Sequence, residues 1–161
     1  MTKDFAFTNT DGSGFDFAHD GTDLVLGDEL ETALIHSLFR DGRAPDDLIK
    51  PGDDPRGHWS TNLTDDAPDG SLLWLLQREK ITPDMPARVA DILKNACLWM
   101  VGGRDGGFDY VTGVDANCQK AATRGRIEGT LTILLSTAPF NRRFNIVYDD
   151  ISNQYQFKEI Q

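Results

Sequence analysis

The sequence predicts an α+β fold, a single domain spanning residues 1–161 in which helices pack on one face of a small antiparallel sheet. Three observations carry that reading. Residues 29–40 and 82–100 space their apolar side chains at helical intervals, residues 108–148 switch to strict alternation, and no repeat or low-complexity segment interrupts the order. With 161 residues, of which 39% are hydrophobic, the chain is long enough to bury one sizeable core.

The start of the chain places Phe5 and Phe7, then Phe15 and Phe17, in short alternating runs separated by Asn9-Thr10-Asp11-Gly12-Ser13-Gly14. Two short strands joined by a turn produce this pattern. Asn9, Asp11 and Gly12 open like a calcium loop, but the later acidic ligands and closing Glu of such a loop are missing, so the segment reads as a turn. Leu24-Val25-Leu26 predicts a further short strand. Asp28 is then available as the N-cap of a helix beginning near Glu29, whose acidic first turn suits the helix dipole. In that helix Leu30, Ala33, Leu34, Ser37 and Leu38 form one stripe, widened by Ile35 and Phe39.

Residues 41–69 form a long connector rich in Asp, Gly and Pro, a composition that cannot continue one regular element and that predicts mobility until a partner binds. Connections of this length are usually functional or disordered. Trp59 argues against full disorder, because so large a ring seeks a surface to cover. Ser71 to Lys80 then predicts a short helix. Thr82 as cap and Pro83 at the first position open a longer one through Val89, Ile92, Leu93, Ala96, Cys97 and Met100, closed by Gly102-Gly103.

Beyond it, Phe108, Tyr110, Thr112 and Val114 alternate with Asp109, Val111, Gly113 and Asp115. Ile127, Leu131, Ile133 and Leu135 repeat the period, as do Phe144, Ile146 and Tyr148, which predicts a three-stranded meander with one face on the helices. Tyr155 to Ile160 resume the alternation. A strand there either completes its own sheet or pairs with a neighbour's edge.

Twenty-six acidic against sixteen basic residues give a net charge of −10, which argues against nucleic acid or an anionic membrane as partner. No apolar run approaches the roughly 20 residues that span a bilayer, and Met1 to Phe5 lack the apolar core of a signal peptide, so the chain is expected to be made in the cytosol. Cys97 and Cys118 read as reduced, packed thiols. His19, His36 and His58 lack zinc spacing, so neither metal nor cofactor is expected.

Enzymatic motifs are weak. Glu29, Glu31, Asp53, Asp54, Asp65 and Asp66 offer carboxylate pairs for glycoside hydrolysis, but in a chain this acidic some pair always looks suitable, and these sit in polar segments that keep carboxylates ordinary. Ser37 beside His36 diverges on a helix and cannot make a nucleophile pair, and Gly102 to Gly107 lack the Lys-Ser/Thr end of a phosphate loop. Two groups of residue types instead suit protein interfaces. Arg40, Arg43, Arg56, His58 and Trp59 put planar donors and an aromatic in one connector, either as hot spots or as internal ties of an acidic loop. Arg142 and Arg143 stand at the last strand of the meander.

The ordered strings LFRDGRAPDD (38–47), DDPRGHW (53–59) and GSLLWLLQREKITP (70–83), set between helices, resemble the Mu-type phage tail protein family that supplies a wedge subunit of the contractile-tail baseplate. That family is similar to the sheath-initiating, lysozyme-like wedge protein of larger contractile phages. The resemblance covers residues from roughly 22 to 150. It implies a structural, non-enzymatic virion component of a phage, prophage or tail-derived particle, assembled in the host cytoplasm. Its implied partners are other baseplate wedge proteins, the tail hub or tube, and sheath proteins. The larger family carries a short Glu-Pro-Arg motif after its first helix that helps build the wedge core. Pro55-Arg56-Gly57 stands in a comparable place, preceded by Asp54 where that motif has Glu. From other classes, a cell-wall glycosidase and a cytosolic adaptor for a basic partner are the competing readings.

Overall fold

In a computed structural model, residues 3–9, 14–57, 70–103, 107–149 and 154–160 are described, and the fold is α+β. Near the N-terminus, β1 (Lys3–Phe5) pairs antiparallel with β4 (Leu26–Asp28), and β2 (Phe7–Thr8) pairs with β3 (Asp16–Phe17). The expected two-strand hairpin is thus a three-way junction. Ala6 donates its amide to Val25 and accepts from Ala18, and Val25 donates to Ala18, so one short segment serves two neighbours in turn. The strand expected at Leu24–Leu26 sits two residues later. Leu24 makes only a bridge to His19, and Leu24, Val25 and Leu26 are all exposed.

Helix α1 (Glu29–Phe39) begins where its cap residue predicts. Asp28 Oδ1 accepts the Glu31 amide at 3.1 Å. Its stripe of Leu30, Leu34, Ile35, Ser37 and Leu38 is buried, while Ala33 and Phe39 are half-buried.

The short helix expected over 71–80 is a 3-10 helix at Leu73–Arg78, and the start of the longer helix is corrected. Helix α2 (Met85–Cys97) starts three residues after Thr82, because Pro86, and not Pro83, takes the first turn, where a missing N–H costs nothing. Its end is tightened before any glycine is reached. Leu98–Met100 form a 3-10 turn, and Gly102 and Gly103 follow it. Trp99 in that turn donates Nε1–H to Ser37 Oγ at 2.9 Å, joining the two helices.

The sheet is a four-stranded antiparallel meander of β5 (Val111–Lys120), β6 (Arg126–Leu135), β7 (Asn141–Asp149) and β8 (Gln154–Ile160), in sequence order. The C-terminal alternation therefore completes the chain's own sheet, with Phe157 opposite Ile146 and Tyr155 opposite Tyr148. The inner faces of β6 and β7 are as the alternation predicts. In β5 the face changes. A register shift between Val111 and Gly113 inserts an extra residue, so Val111 and Val114 are both buried and Thr112 is exposed. Helix α2 packs on β5 and β6. Phe39 of α1 meets Tyr155 and Phe157, and Phe15 stacks on Phe39 with centroids 4.8 Å apart, which closes the core over β8.

Candidate protein interface

The first half of the connector makes backbone hydrogen bonds to the segments on either side of it. Gly42 donates to Ser71 O, Ser71 donates to Arg40 O, and Ala44 donates to Pro55 O, at 2.8–2.9 Å. The buried Ser71 hydroxyl donates to Leu38 O at 2.6 Å and accepts the Leu73 amide at 3.2 Å, so its polarity is satisfied at the helix exit. Gly70 makes this crossing possible. It has φ +95°, and a Cβ there would lie 2.5 Å from Arg40 O. Local Pro, Gly and Asp content reports a lack of regular structure, and loops can be held by scattered backbone bonds.

On this base sits a small cluster in which Arg56 and Trp74 are half-buried and Asp41 is exposed. Arg56 Nη1 donates to Asp41 Oδ2 at 2.7 Å, and the guanidinium carbon stands 4.4 Å from the Trp74 ring centroid. Trp74 is itself fixed, donating Nε1–H to Gly42 O at 2.8 Å. Arg56 has φ +54°, a left-handed conformation supported by its amide bonding Asp54 Oδ1 at 2.9 Å. Gly57 follows with φ +88° and lies against the Arg43 backbone, where a Cβ would come within 2.6 Å of Arg43 Cβ. Arg43 is exposed and Arg40 is half-buried at the end of α1. The structure thus brings Arg40, Arg43 and Arg56 to one junction. His58 and Trp59 lie outside the described residues, as do Asp65 and Asp66.

Trp74 and Asp41 are the members that sequence reasoning passed over. Trp74 sits among leucines at helical spacing and reads as core, and only its place three residues beyond Ser71 hints at a partner for the connector.

Arg142 and Arg143 part company across β7. Arg143 is exposed on the outer face, opposite Thr132 and Ile160. Arg142 is on the inner face, with its side chain 11% exposed. It binds Glu159 through two hydrogen bonds of 2.7 and 3.0 Å, pairs with Asp28, and lies over the Phe144 ring. The hydrogen bonds that Arg142 donates to Glu159 and Asp28 outweigh burial and hold it firmly charged.

Around it, Tyr110 donates Oη–H to Glu29 Oε1 at 2.9 Å. Burial first, and then that bond and the neighbouring carboxylates, raise the Tyr110 hydroxyl well above its usual range. Burial also raises Glu31, against the pull of Arg142. Of the other proposed catalytic acids, Asp53 and Asp54 are exposed in the connector. Among the described residues no group of three His, Cys, Asp or Glu side chains could hold a metal ion, and no helix is long and apolar enough to cross a membrane.

Residues 30–136 match the family model described as Phage protein GP46. Over 98 residues the chain is 43% identical to Baseplate protein gp46 of Escherichia phage Mu, covering 60% of this chain and 67% of that protein. Over 99 residues it is 33% identical to Mu-like prophage FluMu protein gp46 of Haemophilus influenzae, covering 62% of this chain and 67% of the relative. No solved structure matches significantly. The matched span runs from the second residue of α1 to the residue after β6, so it contains the connector junction entire, and the chain belongs to the phage protein GP46 family of Mu-type baseplate proteins.

Proposed function

We propose that this chain is a structural wedge subunit of the baseplate of a contractile phage tail or tail-like particle. It folds as one domain, joins other wedge proteins around the tail hub or tube, and helps to start the sheath. It works by presenting protein-binding surfaces and has no catalytic residues. It is assembled in the host cytoplasm and resides in the virion tail. The observation that carries this reading is the Arg56–Trp74–Asp41 cluster. A planar cation and a tryptophan are held in fixed geometry at the surface, inside the span matched to a baseplate family. Arg43 beside the cluster and Arg143 on the outer sheet face extend the candidate surface, with His58 and Trp59 as further candidates in the connector.

The test is reconstitution with the wedge proteins encoded beside this chain. Arg56→Ala and Trp74→Ala should weaken incorporation by about 2 kcal/mol or more. Arg56→Ala should lower thermal stability by less than about 1 kcal/mol, since its ion pair is one-third to one-half exposed. Equal losses of stability and of binding would make the cluster an internal tie and overturn the assignment. Purified protein should also leave peptidoglycan intact. Clearing that survives repurification and disappears in Glu31→Gln would overturn the non-catalytic reading.

A further inference from the structure

Several described cations of this acidic chain are paired where they stand. Arg56 pairs with Asp41, Arg88 with Glu79, Lys94 with Asp115, Arg126 with Asp149, and Arg142 with Asp28 and Glu159. One place gathers several cations around a single pocket. The link between the Leu73–Arg78 helix and α2 meets the turn between β5 and β6 around a pocket of ≈510 Å³. Lys80, Lys120, Arg124 and Arg126 line it, with Ile81, Ala121, Thr123 and Gly125. Among the described residues, Lys80, Lys120 and Arg124 have no ion pair, and all three are exposed.

The pocket is shaped by the fold. Ala121 donates its amide to Arg126 O at 3.1 Å to close the turn, and Gly125 supplies φ +80°. Ile81 leans on the hydrophobic core and so has a settled position between the cations. Two carboxylates stand at the margin. Asp149 holds Arg126 at 2.7 Å, and exposed Asp84 lies close enough to Lys120 to feel its charge. The excess inside the pocket is still positive. Gathering like charges without partners is unfavourable, and a chain with net charge −10 has carboxylates to spare for them. Three exposed cations around one apolar side chain offer charge complementarity to an acidic partner.

We infer that the pocket between Lys80-Ile81 and the β5–β6 turn binds a short acidic segment of a partner protein, its carboxylates on Lys80, Lys120 and Arg124 and an apolar side chain on Ile81. A nucleic acid fits less well, because a long polyanion would meet the net negative charge beyond the pocket rim. A second copy of this chain is disfavoured by the same repulsion. The site shares no lining residue with the Arg56–Trp74 cluster and stands independently of the assignment made for that cluster.

The experiment is fluorescence anisotropy on the full chain, using a labelled short peptide of alternating Glu and Leu, a Gln/Leu peptide of equal length, and a single-stranded oligonucleotide of equal charge. The Glu/Leu peptide should bind, weaken with added salt, and lose at least about tenfold in affinity in Lys80→Glu/Arg124→Glu. Both positions are exposed and unpaired, so the variant's unfolding curve should match that of the parent, and Lys80→Arg should keep binding. Equal binding of the Gln/Leu peptide, tighter binding of the oligonucleotide through the same residues, or indifference of the Glu/Leu peptide to the double variant would overturn the assignment. Self-association of the parent chain that the double variant abolishes would overturn it too, in favour of a contact between copies.

Discussion

Arg142 on β7 and Asp28 at the head of α1, 114 residues apart in sequence, form an ion pair, and the same Asp28 oxygen caps the helix by accepting the Glu31 amide. One carboxylate thus starts the first helix and joins it to the third strand of the sheet. Glu159 completes the arrangement from β8, so Arg142 neutralises acids on both sides.

Removing this guanidinium leaves two carboxylates, and Glu31 near them, without a cation. Arg142→Ala should destabilise the fold by about 3 kcal/mol. Arg142→Lys keeps the charge but loses the two-pronged contact to Glu159, and should cost about 1 kcal/mol. Urea unfolding of both variants measures this, and a cost for Arg142→Ala below that of Arg142→Lys would contradict it.

Glu31 gives the fold a pH signature. Burial raises its carboxyl above the ordinary value of 4.5, Arg142 opposes this, and Glu159 and Asp28 add to it. A carboxyl raised in the folded state holds its proton more tightly there than in the unfolded chain. Its stabilising contribution is therefore complete below about pH 4.5 and is lost as pH rises through the raised folded value. Glu31→Gln should gain stability at neutral pH, by less than about 1 kcal/mol because the group is only half-buried. That gain should vanish in acid. Thermal melts of both proteins across the acid range decide the matter, and a constant difference at all pH values would contradict it.

Gly52 and Gly70 separate backbone strain from crowding. Their φ values are +93° and +95°, yet a Cβ on Gly52 would meet nothing within 4 Å, while one on Gly70 would strike Arg40 O and Gly42 N at 2.5 and 2.8 Å. Gly52→Ala should cost about 1 kcal/mol, the conformational part alone. Gly70→Ala should cost more than about 3 kcal/mol, because a rigid backbone crossing has to open. Equal costs in paired denaturation curves would show that crowding at Gly70 is relieved at no expense.

Both cysteines should be unreactive in the native protein. Burial pushes the Cys97 thiol up to about 12 and the Cys118 thiol up to about 11, so at pH near 8 less than about 1% of either is the reactive thiolate. A colorimetric thiol reagent should label neither until denaturant is added. Rapid labelling of Cys118 in the folded state would show that β5 opens locally.

The sequence by itself determined the α+β class, the start of α1 at its Asp28 cap, and the inner faces of β6 and β7, since helical spacing, capping and strict alternation are local properties. The same alternation puts Arg142 in register with Phe144, Ile146 and Tyr148, so its inward face was legible in the residues. Arg56 was legible as an interface type of residue, whereas Trp74 and Asp41 were not, because nothing local says which loop a tryptophan will cover. Only the tertiary structure decided where the C-terminal strand pairs, how the bulge at Thr112 turns Val111 inward, and that residues 41–57 are held against the helix that follows. Each of those depends on a hydrogen bond or a contact between separate segments of the chain, and the free energy of such a contact is set by what stands opposite, which a residue's own neighbours in sequence do not report.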